Sequence, residues 1–223
     1  MKNDCCFVWK QTSVAVVLSV VCLSLLATGC SFFGIRNTEE AGYELVDKHE
    51  SIEIREYDEL VVVETFANTG YEEAGKIAFR KLFAYISGEN ISKTKIAMTA
   101  PVMSKEGDVQ TGDKIPMTSP VLEERQAKGW RYSFVLPAGY TLENAPLPSN
   151  PEVKLAVIPR KKVAVIRYTG SWKEKSMREK SEKLAKWIQA KGLKSLSKPR
   201  SARYDPPWTL LFLRRNEIMI DVN

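Results

Sequence analysis

The chain repeats one strand–strand–helix pattern, and this internal repeat constrains its architecture most, because a repeat implies two copies of one structural unit. In the first copy, residues 52–55 alternate between apolar and polar side chains, and residues 60–66 are rich in β-branched side chains. Residues 153–158 and 163–168 show the same order in the second copy. Both features are typical of β-strands, so each copy is predicted to open with two strands that form a hairpin.

Each strand pair is followed by apolar residues at helical spacing, which predicts one helix per copy. A Ser or Thr with a Glu three positions later, the capping-box pattern, stands at the start of each predicted helix, and a glycine stands at its end. The boxes are Thr69 with Glu72 and Ser171 with Glu174, and the glycines are Gly88 and Gly192. The recurrence of this pattern before both helices favours a duplication.

Further strand signal follows each predicted helix. It lies at residues 96–103, 116–122, 131–136, 209–213 and 217–222. Roughly eight strands and two helices, with alternating strands close together along the chain, predict an antiparallel sheet with helices packed against it, which is an α+β fold.

The N-terminal segment differs in kind from the rest of the chain. An uncharged apolar run at residues 14–27 follows Lys2 and Lys10, as in an export signal, and it is shorter than the about 20 apolar residues that a membrane-spanning helix needs. The run ends in Leu26-Ala27-Thr28-Gly29-Cys30, which resembles the bacterial lipobox and implies cleavage before Cys30 and a diacylglycerol on its sulfur.

This interpretation divides the chain into three parts. Residues 1–29 form a lipoprotein signal peptide, residues 30–42 a lipidated tether, and residues 43–223 the domain. Cys30 then anchors the domain in the cell envelope, and Ser31 after it favours the outer membrane, facing the periplasm, in a Gram-negative organism. An uncleaved N-terminal anchor and an ordinary cleaved signal peptide are the alternatives, and both also place the domain outside the cytoplasm.

Composition excludes several classes of function. The other cysteines, Cys5, Cys6 and Cys22, lie in the signal peptide, so the domain has no disulfide and no cysteine nucleophile. The net charge of +6 is small and mostly interleaved with acidic residues, which with export argues against a nucleic-acid partner. The sequence also lacks the G-x-S-x-G, H-E-x-x-H, C-x-x-C and G-x-G-x-x-G patterns, so we expect a binding protein rather than an enzyme.

Six short motifs in order resemble the SOUL haem-binding family over nearly the whole domain. They are YEL at 43–45, EIREY at 53–57, KIAMTAPV at 95–102, YSFVLP at 132–137, YDPPWT at 204–209 and RRNE at 214–217. The resemblance implies a distorted antiparallel β-barrel of about eight strands with two helices, built from two pseudo-symmetric halves. It also implies haem or another tetrapyrrole as the ligand, although fold and function separate readily.

The residues available for iron ligation are few. Some relatives carry a proposed axial histidine between the arginine and tyrosine of the EIREY motif, and the matching residue here is Glu56. The only histidine, His49, lies among charged residues and is interpreted as part of a solvated turn. We therefore expect haem to be held without iron ligation in an apolar groove or hollow enclosed by the barrel, with basic side chains at its mouth for the propionates.

The candidate ligand residues form two groups. The groove is assigned to Phe79, Phe83, Tyr85 and Met98, and the anion partners are Arg55, Arg214 and Arg215. Each has an alternative interpretation, since helical aromatics commonly belong to a core and the arginines can satisfy buried backbone groups. Another apolar small molecule as ligand and a protein-interaction role at the envelope remain alternative functions.

Overall fold

The sequence folds into one large curled sheet with a helix packed on each half. A computed structural model of the protein describes residues 38–93 and 112–223. Cys30, Met98 and the predicted strand at 96–103 lie outside the described residues. The strands are β1 Glu39–Glu40, β2 Tyr43–His49, β3 Ile52–Tyr57, β4 Leu60–Ala67, β5 Asn90–Ile91, β6 Thr118–Ser119, β7 Val121–Gln126, β8 Gly129–Val135, β9 Leu147–Pro148, β10 Val153–Ile158, β11 Lys161–Tyr168, β12 Arg200–Arg203 and β13 Asn216–Val222. The helices are α1 Tyr71–Ile86, α2 Glu174–Ala190 and a short 3₁₀ helix, Leu211–Leu213.

The nine strands of the main sheet reflect the sequence repeat. They are ordered β10-β4-β8-β7-β12-β13-β11-β3-β2, and every neighbouring pair is antiparallel. Without β2 at one edge, the strand order is symmetric between the two copies. Reading from the two ends towards the middle, β10 corresponds to β3, β4 to β11, β8 to β13 and β7 to β12. The expected α+β fold of two pseudo-symmetric halves is therefore confirmed.

The predicted hairpins within each copy are wrong. β3 pairs with β2 and β11, and β4 pairs with β8 and β10, so both hydrogen-bonding edges of each strand are already occupied. Only Asp58 and Glu59 connect β3 to β4, although these strands lie near opposite ends of the sheet. So short a connection requires the sheet to curl until its two ends approach each other.

The curled sheet is apolar on both faces, which is why its strands are rich in β-branched residues. On the outer face, Val61 and Val63 of β4 belong to the core beneath the helices. Val62, between them, points to the inner face and packs with Val163 and Met219. Two separate cores therefore hold the domain, one under the helices and one inside the curl.

Both helices end as predicted but do not begin as predicted. Gly88 and Gly192 follow the helix ends with φ of 112° and 70°, the left-handed backbone that glycine adopts without strain. The N-caps are Gly70 and Lys173, and no side chain caps either helix, so the predicted capping boxes are wrong. Ser171 instead accepts a hydrogen bond from the Lys173 backbone N–H within the preceding turn.

Two other segments differ from expectation. Residues 209–213, predicted as a strand, form a bend and the 3₁₀ helix. Their backbone N–H groups donate locally, from Thr209 to Pro206 and from Leu213 to Leu210, instead of to a neighbouring strand. At the other end, Glu39 and Glu40 of the predicted tether form β1 and pair with β6.

Candidate functional site

Helix α1 carries an exposed pair of aromatic rings. Its Ala74, Ala78 and Leu82 are fully buried against the sheet, whereas Phe79 and Phe83 lie on the flank, four residues apart and on one surface. The two rings are stacked, with centroids 5.7 Å apart and an angle of 12° between their planes. They remain 44% and 47% exposed, which is unusual for phenylalanine and marks a candidate binding surface.

The inner edge of this aromatic surface is fixed in place. The Phe79 ring packs edge-on against buried Phe134 of β8, with centroids 5.5 Å apart. Phe83 then stacks on Phe79, so both rings are oriented before any ligand binds. The aromatic surface therefore presents partly ordered apolar area to a ligand.

Two basic side chains flank the aromatic pair. Lys76 lies three residues before Phe79, and Arg80 lies three before Phe83, so each shares a helix surface with one ring. Both are exposed, and neither forms an ion pair with a residue that the structure describes. Their positive charge and exposure suit an anionic group of a ligand on the rings. Sequence reasoning missed them, although their helical spacing from the phenylalanines was visible.

Tyr85, also assigned to the groove, lies beneath the surface. It is buried, and its hydroxyl donates to the backbone oxygen of Pro146, 2.9 Å away. Burial also raises the pKa of this hydroxyl above its ordinary value. Tyr85 thus fastens the segment before β9 to the C-terminal end of α1, and its role towards a ligand remains a prediction.

The predicted anion partners lie elsewhere and are already engaged by protein groups. Arg55 is fully buried in β3 and donates to both carboxylate oxygens of Glu217, at 2.8 and 2.9 Å. Arg215 donates to the same carboxylate at 2.9 Å, and so does the Tyr204 hydroxyl. The structure thus brings Arg55 and Arg215 together around Glu217, and nothing in the contacts joins them to Phe79. Their role as ligand residues is a prediction that these contacts do not support.

Arg214 belongs to a third region. Its guanidinium lies over the Trp172 ring, 4.3 Å from the centroid, and donates to the backbone oxygens of Thr209 and Pro207. It therefore supports the loop before β13, and its role as a ligand residue also remains a prediction.

The Glu217 cluster makes stability depend on pH. Burial by itself raises the pKa of Glu217, but hydrogen bonds and charge from Arg55 outweigh it and leave the pKa below its ordinary value of 4.5. The pKa of Glu53, which also pairs with Arg55, is lowered by the same balance. Burial raises the pKa of Glu123, in β7. Its effect on the pH dependence of stability is therefore opposite to that of Glu217 and Glu53.

We expect the free energy of unfolding to fall as the pH is lowered from about 5 through the folded-state pKa of Glu217. A lowered folded-state pKa gives stability that is complete above the unfolded value near 4.5 and is lost as the pH falls through the folded value. Glu123 has the opposite sign and offsets part of this loss. Urea unfolding followed by tryptophan fluorescence measures the slope, which should be shallower in Glu217→Gln. An equal slope in both proteins would contradict this assignment.

The interior of the curled sheet cannot accommodate a porphyrin within the described residues. Its cavity is about 20 Å³, lined by apolar side chains that include Tyr57, Leu122, Val163 and Met219. That volume holds about one water molecule. The enclosed apolar hollow expected of a barrel is therefore filled by the protein's own side chains, which pack there as the inner core.

An open cleft of about 580 Å³ lies where the N-termini of α1 and α2 meet. It is lined by Gly70, Tyr71, Glu72, Glu73, Lys173 and Glu174. Beneath it, buried Glu123 accepts hydrogen bonds from Tyr71, Ser201 and Arg203. Three glutamates at the opening disfavour an anionic ligand such as haem, so the aromatic surface of α1 is the better site for it.

The described residues offer no evident set of iron ligands. Glu56, at the position of the proposed axial histidine, accepts a hydrogen bond from Arg160. His49 is exposed at the end of β2, with its ring 6.5 Å from that of Trp187. Within residues 38–93 and 112–223, no group of three His, Cys, Asp or Glu side chains is placed to hold a metal ion. The helices of the same residues include none that is long and apolar enough to cross a membrane.

Fold and repeat together define the class of protein: a duplicated α+β domain whose antiparallel sheet curls into a half-barrel with one helix on each half. The chain belongs to the SOUL family, because the family model described as SOUL heme-binding protein matches residues 38–221. This match confirms the family that the six motifs indicated. SOUL proteins are a family of binding proteins, in agreement with the expectation from composition.

Solved structures share the fold at low sequence identity. The C-terminal domain of EcmrR is 14% identical with a TM-score of 0.52, and the match covers 81% of this chain and 98% of that chain. EcmrR in complex with DNA has the same identity and TM-score, over 100% of this chain and 73% of that one. A hydrolase from Listeria innocua is 14% identical with a TM-score of 0.50, over 80% and 94%. No curated protein matches the chain. At this identity the likeness shows the fold alone.

Proposed function

We propose that this protein binds haem or a related tetrapyrrole on the aromatic surface of α1, by apolar contact rather than iron ligation. The observation that carries the proposal is the exposed, stacked pair Phe79 and Phe83 on a helix that also presents Lys76 and Arg80. A porphyrin is flat and apolar on its faces and carries two propionates at one edge. Its face suits the two rings, and its propionates suit the two cations. Membership of the SOUL family supports this ligand class.

The proposal is tested by titrating hemin into the mature domain from Ser31 onward, which contains every buried residue of the described core. We expect a saturable shift of the Soret band and quenching of tryptophan fluorescence, at micromolar hemin or below. His49→Ala should bind hemin as the wild type does, because His49 is exposed and its ring lies near Trp187 of α2 rather than on α1. A flat titration at micromolar hemin would reject the proposal, and loss of binding in His49→Ala would reject the iron-independent mode.

The setting we propose for this activity is the cell envelope, with the domain held outside the cytoplasm by a lipid on Cys30. The lipobox-like sequence before Cys30 supports this part of the proposal. Two or three acyl chains would anchor the domain stably, since each buried methylene contributes about 0.8 kcal/mol. Incorporation of labelled palmitate into the full chain, and its loss in Cys30→Ala, is the direct measurement.

Without a Soret shift, thermal stabilisation by other flat apolar compounds would favour the alternative small-molecule binder. If neither effect is seen, the envelope interaction role is favoured.

A further inference from the structure

The loop between β12 and β13 exposes three large apolar side chains within a few residues. Trp208, Leu211 and Phe212 are 61%, 53% and 69% exposed. Such a concentration is unusual on a soluble surface, where an exposed apolar patch commonly marks a contact with another molecule or a membrane. We infer that this loop, residues 206–213, inserts into the surface of the lipid bilayer to which the chain is tethered, an inference that rests on the lipid anchor proposed above.

The exposed side chains are held outward by a rigid loop. The Arg214 guanidinium donates to the backbone oxygens of Thr209 and Pro207, on either side of Trp208. The Gly170 N–H donates to the backbone oxygen of Leu211, 2.9 Å away. These bonds hold the loop backbone against the domain, with the three large apolar side chains directed to solvent. Insertion into a lipid bilayer would remove these side chains from water.

The base of the loop adjoins the point where the tether enters the domain. Arg215, at the end of the loop, donates to Glu40 of β1 at 2.8 Å. Tyr204, at its start, accepts a hydrogen bond on its backbone oxygen from the Ser119 hydroxyl, and Ser119 also bonds the hydroxyl of Thr38. The loop and the first described residue, Thr38, therefore lie on the same side of the molecule.

The length of the tether brings the loop within reach of the bilayer. The chain from Cys30 to Thr38 spans at most about 28 Å when fully extended. A lipidated Cys30 thus holds the loop near the headgroups at a high local concentration. Even weak insertion of the loop then strengthens the attachment of the domain to the membrane. Tryptophan favours the headgroup region, and leucine and phenylalanine favour the acyl boundary below it. Because the loop base adjoins the start of the tether, a bilayer is favoured over a protein partner or a second copy of the chain.

The test attaches the domain to vesicles chemically, so that it does not depend on lipidation in the cell. A protein beginning at Cys30 has that single cysteine, because Cys5, Cys6 and Cys22 precede it. Its thiol is coupled to a maleimide lipid in vesicles of phosphatidylethanolamine and phosphatidylglycerol whose acyl chains are brominated. We expect bromine to quench a tryptophan component that is absent in Trp208→Phe.

The matched variants keep Trp208 and change its neighbours. Leu211→Ser with Phe212→Ser should lose this quenching, and its untethered domain should bind the same vesicles about tenfold more weakly or worse. Leu45→Ser with Val46→Ser changes two half-exposed side chains of β2 and should retain both signals. Urea unfolding of each variant checks that the fold is intact.

Absence of Trp208-dependent quenching in the tethered wild type would overturn the inference, and so would equal quenching in Leu211→Ser with Phe212→Ser. A loop-dependent dimer without quenching, seen by sedimentation, would overturn it in favour of a second copy. A domain that inserts its loop when coupled to vesicles but takes up no palmitate in cells would leave the loop assignment standing and remove the proposed anchor.

Discussion

Glu217→Gln is expected to lower the free energy of unfolding by about 3–5 kcal/mol. Glutamine keeps the size of the side chain but removes the charge that Arg55 and Arg215 share. Because Arg55 and Glu217 are both fully buried, the substitution removes the only fully buried carboxylate that these arginines contact among the described residues. Arg55 keeps only the less buried Glu53, and Arg215 keeps only the partly exposed Glu40. Urea unfolding followed by tryptophan fluorescence measures the change.

The matched control is Glu64→Gln, which removes the carboxylate of a more exposed pair. Glu64 lies 3.8 Å from Arg131, and both side chains contact solvent. Its loss should cost less than about 1 kcal/mol, because exposed ion pairs contribute little. A similar cost for Glu64→Gln and Glu217→Gln would contradict the structural role of the buried cluster.

Glu217→Gln also separates a structural role of Arg55 and Arg215 from a role in ligand binding. Under conditions where Glu217→Gln is folded, we expect it to bind hemin with the wild-type affinity, because the cluster contacts neither Phe79 nor Phe83. A large loss of hemin affinity with an unchanged free energy of unfolding would assign these arginines to the ligand, as the sequence suggested.

Phe79→Ala with Phe83→Ala is expected to weaken hemin binding about thirtyfold. Complete burial of a phenylalanine side chain contributes about 1.5–3 kcal/mol, and each ring exposes about half of its surface to a ligand. Covering both rings is therefore worth about 2 kcal/mol, which corresponds to that factor in the dissociation constant. Titration by Soret absorbance, with both proteins at the same ionic strength, gives the ratio.

Leu211→Ala with Phe212→Ala is the control for this variant. It removes a similar amount of exposed apolar surface from the loop before β13, and it should leave hemin affinity unchanged. Wild-type affinity in the Phe79 and Phe83 variant, with a normal unfolding curve, would show that hemin binds elsewhere. The cleft between the helix N-termini would then be the next site to test.

Local sequence features predicted the types of most elements but not their partners. Alternation at 52–55 and β-branched residues at 60–66 correctly indicated strands, because burial on a pleated face depends on residues within the same segment. The hairpin between them was wrong because nothing in either segment specifies which edge it presents to which neighbour. The two-residue connection at Asp58 and Glu59 is short enough for a hairpin and equally compatible with a curled sheet that closes on itself.

The candidate site was predictable only in part for a similar reason. Helical spacing placed Phe79 and Phe83 on one surface, yet spacing alone does not tell an exposed flank from a core face. Arg55 looked like an anion partner because an arginine in a strand has no evident use until its partner is known. That partner, Glu217, is supplied by the last strand of the chain, and only folding brings the two together.

By itself, the sequence determined that the protein is a duplicated α+β domain of the SOUL family, with two helices that end shortly before Gly88 and Gly192. Repeats, motifs and glycine stops are properties of short segments, so they can be recognised without the fold. Tertiary structure alone decided that strands of one copy pair with strands of the other and that side chains fill the inside of the curled sheet. It also decided that Arg55 and Arg215 bind the buried carboxylate of Glu217. Those outcomes depend on contacts between residues far apart in the chain, whose formation is a property of the whole sheet.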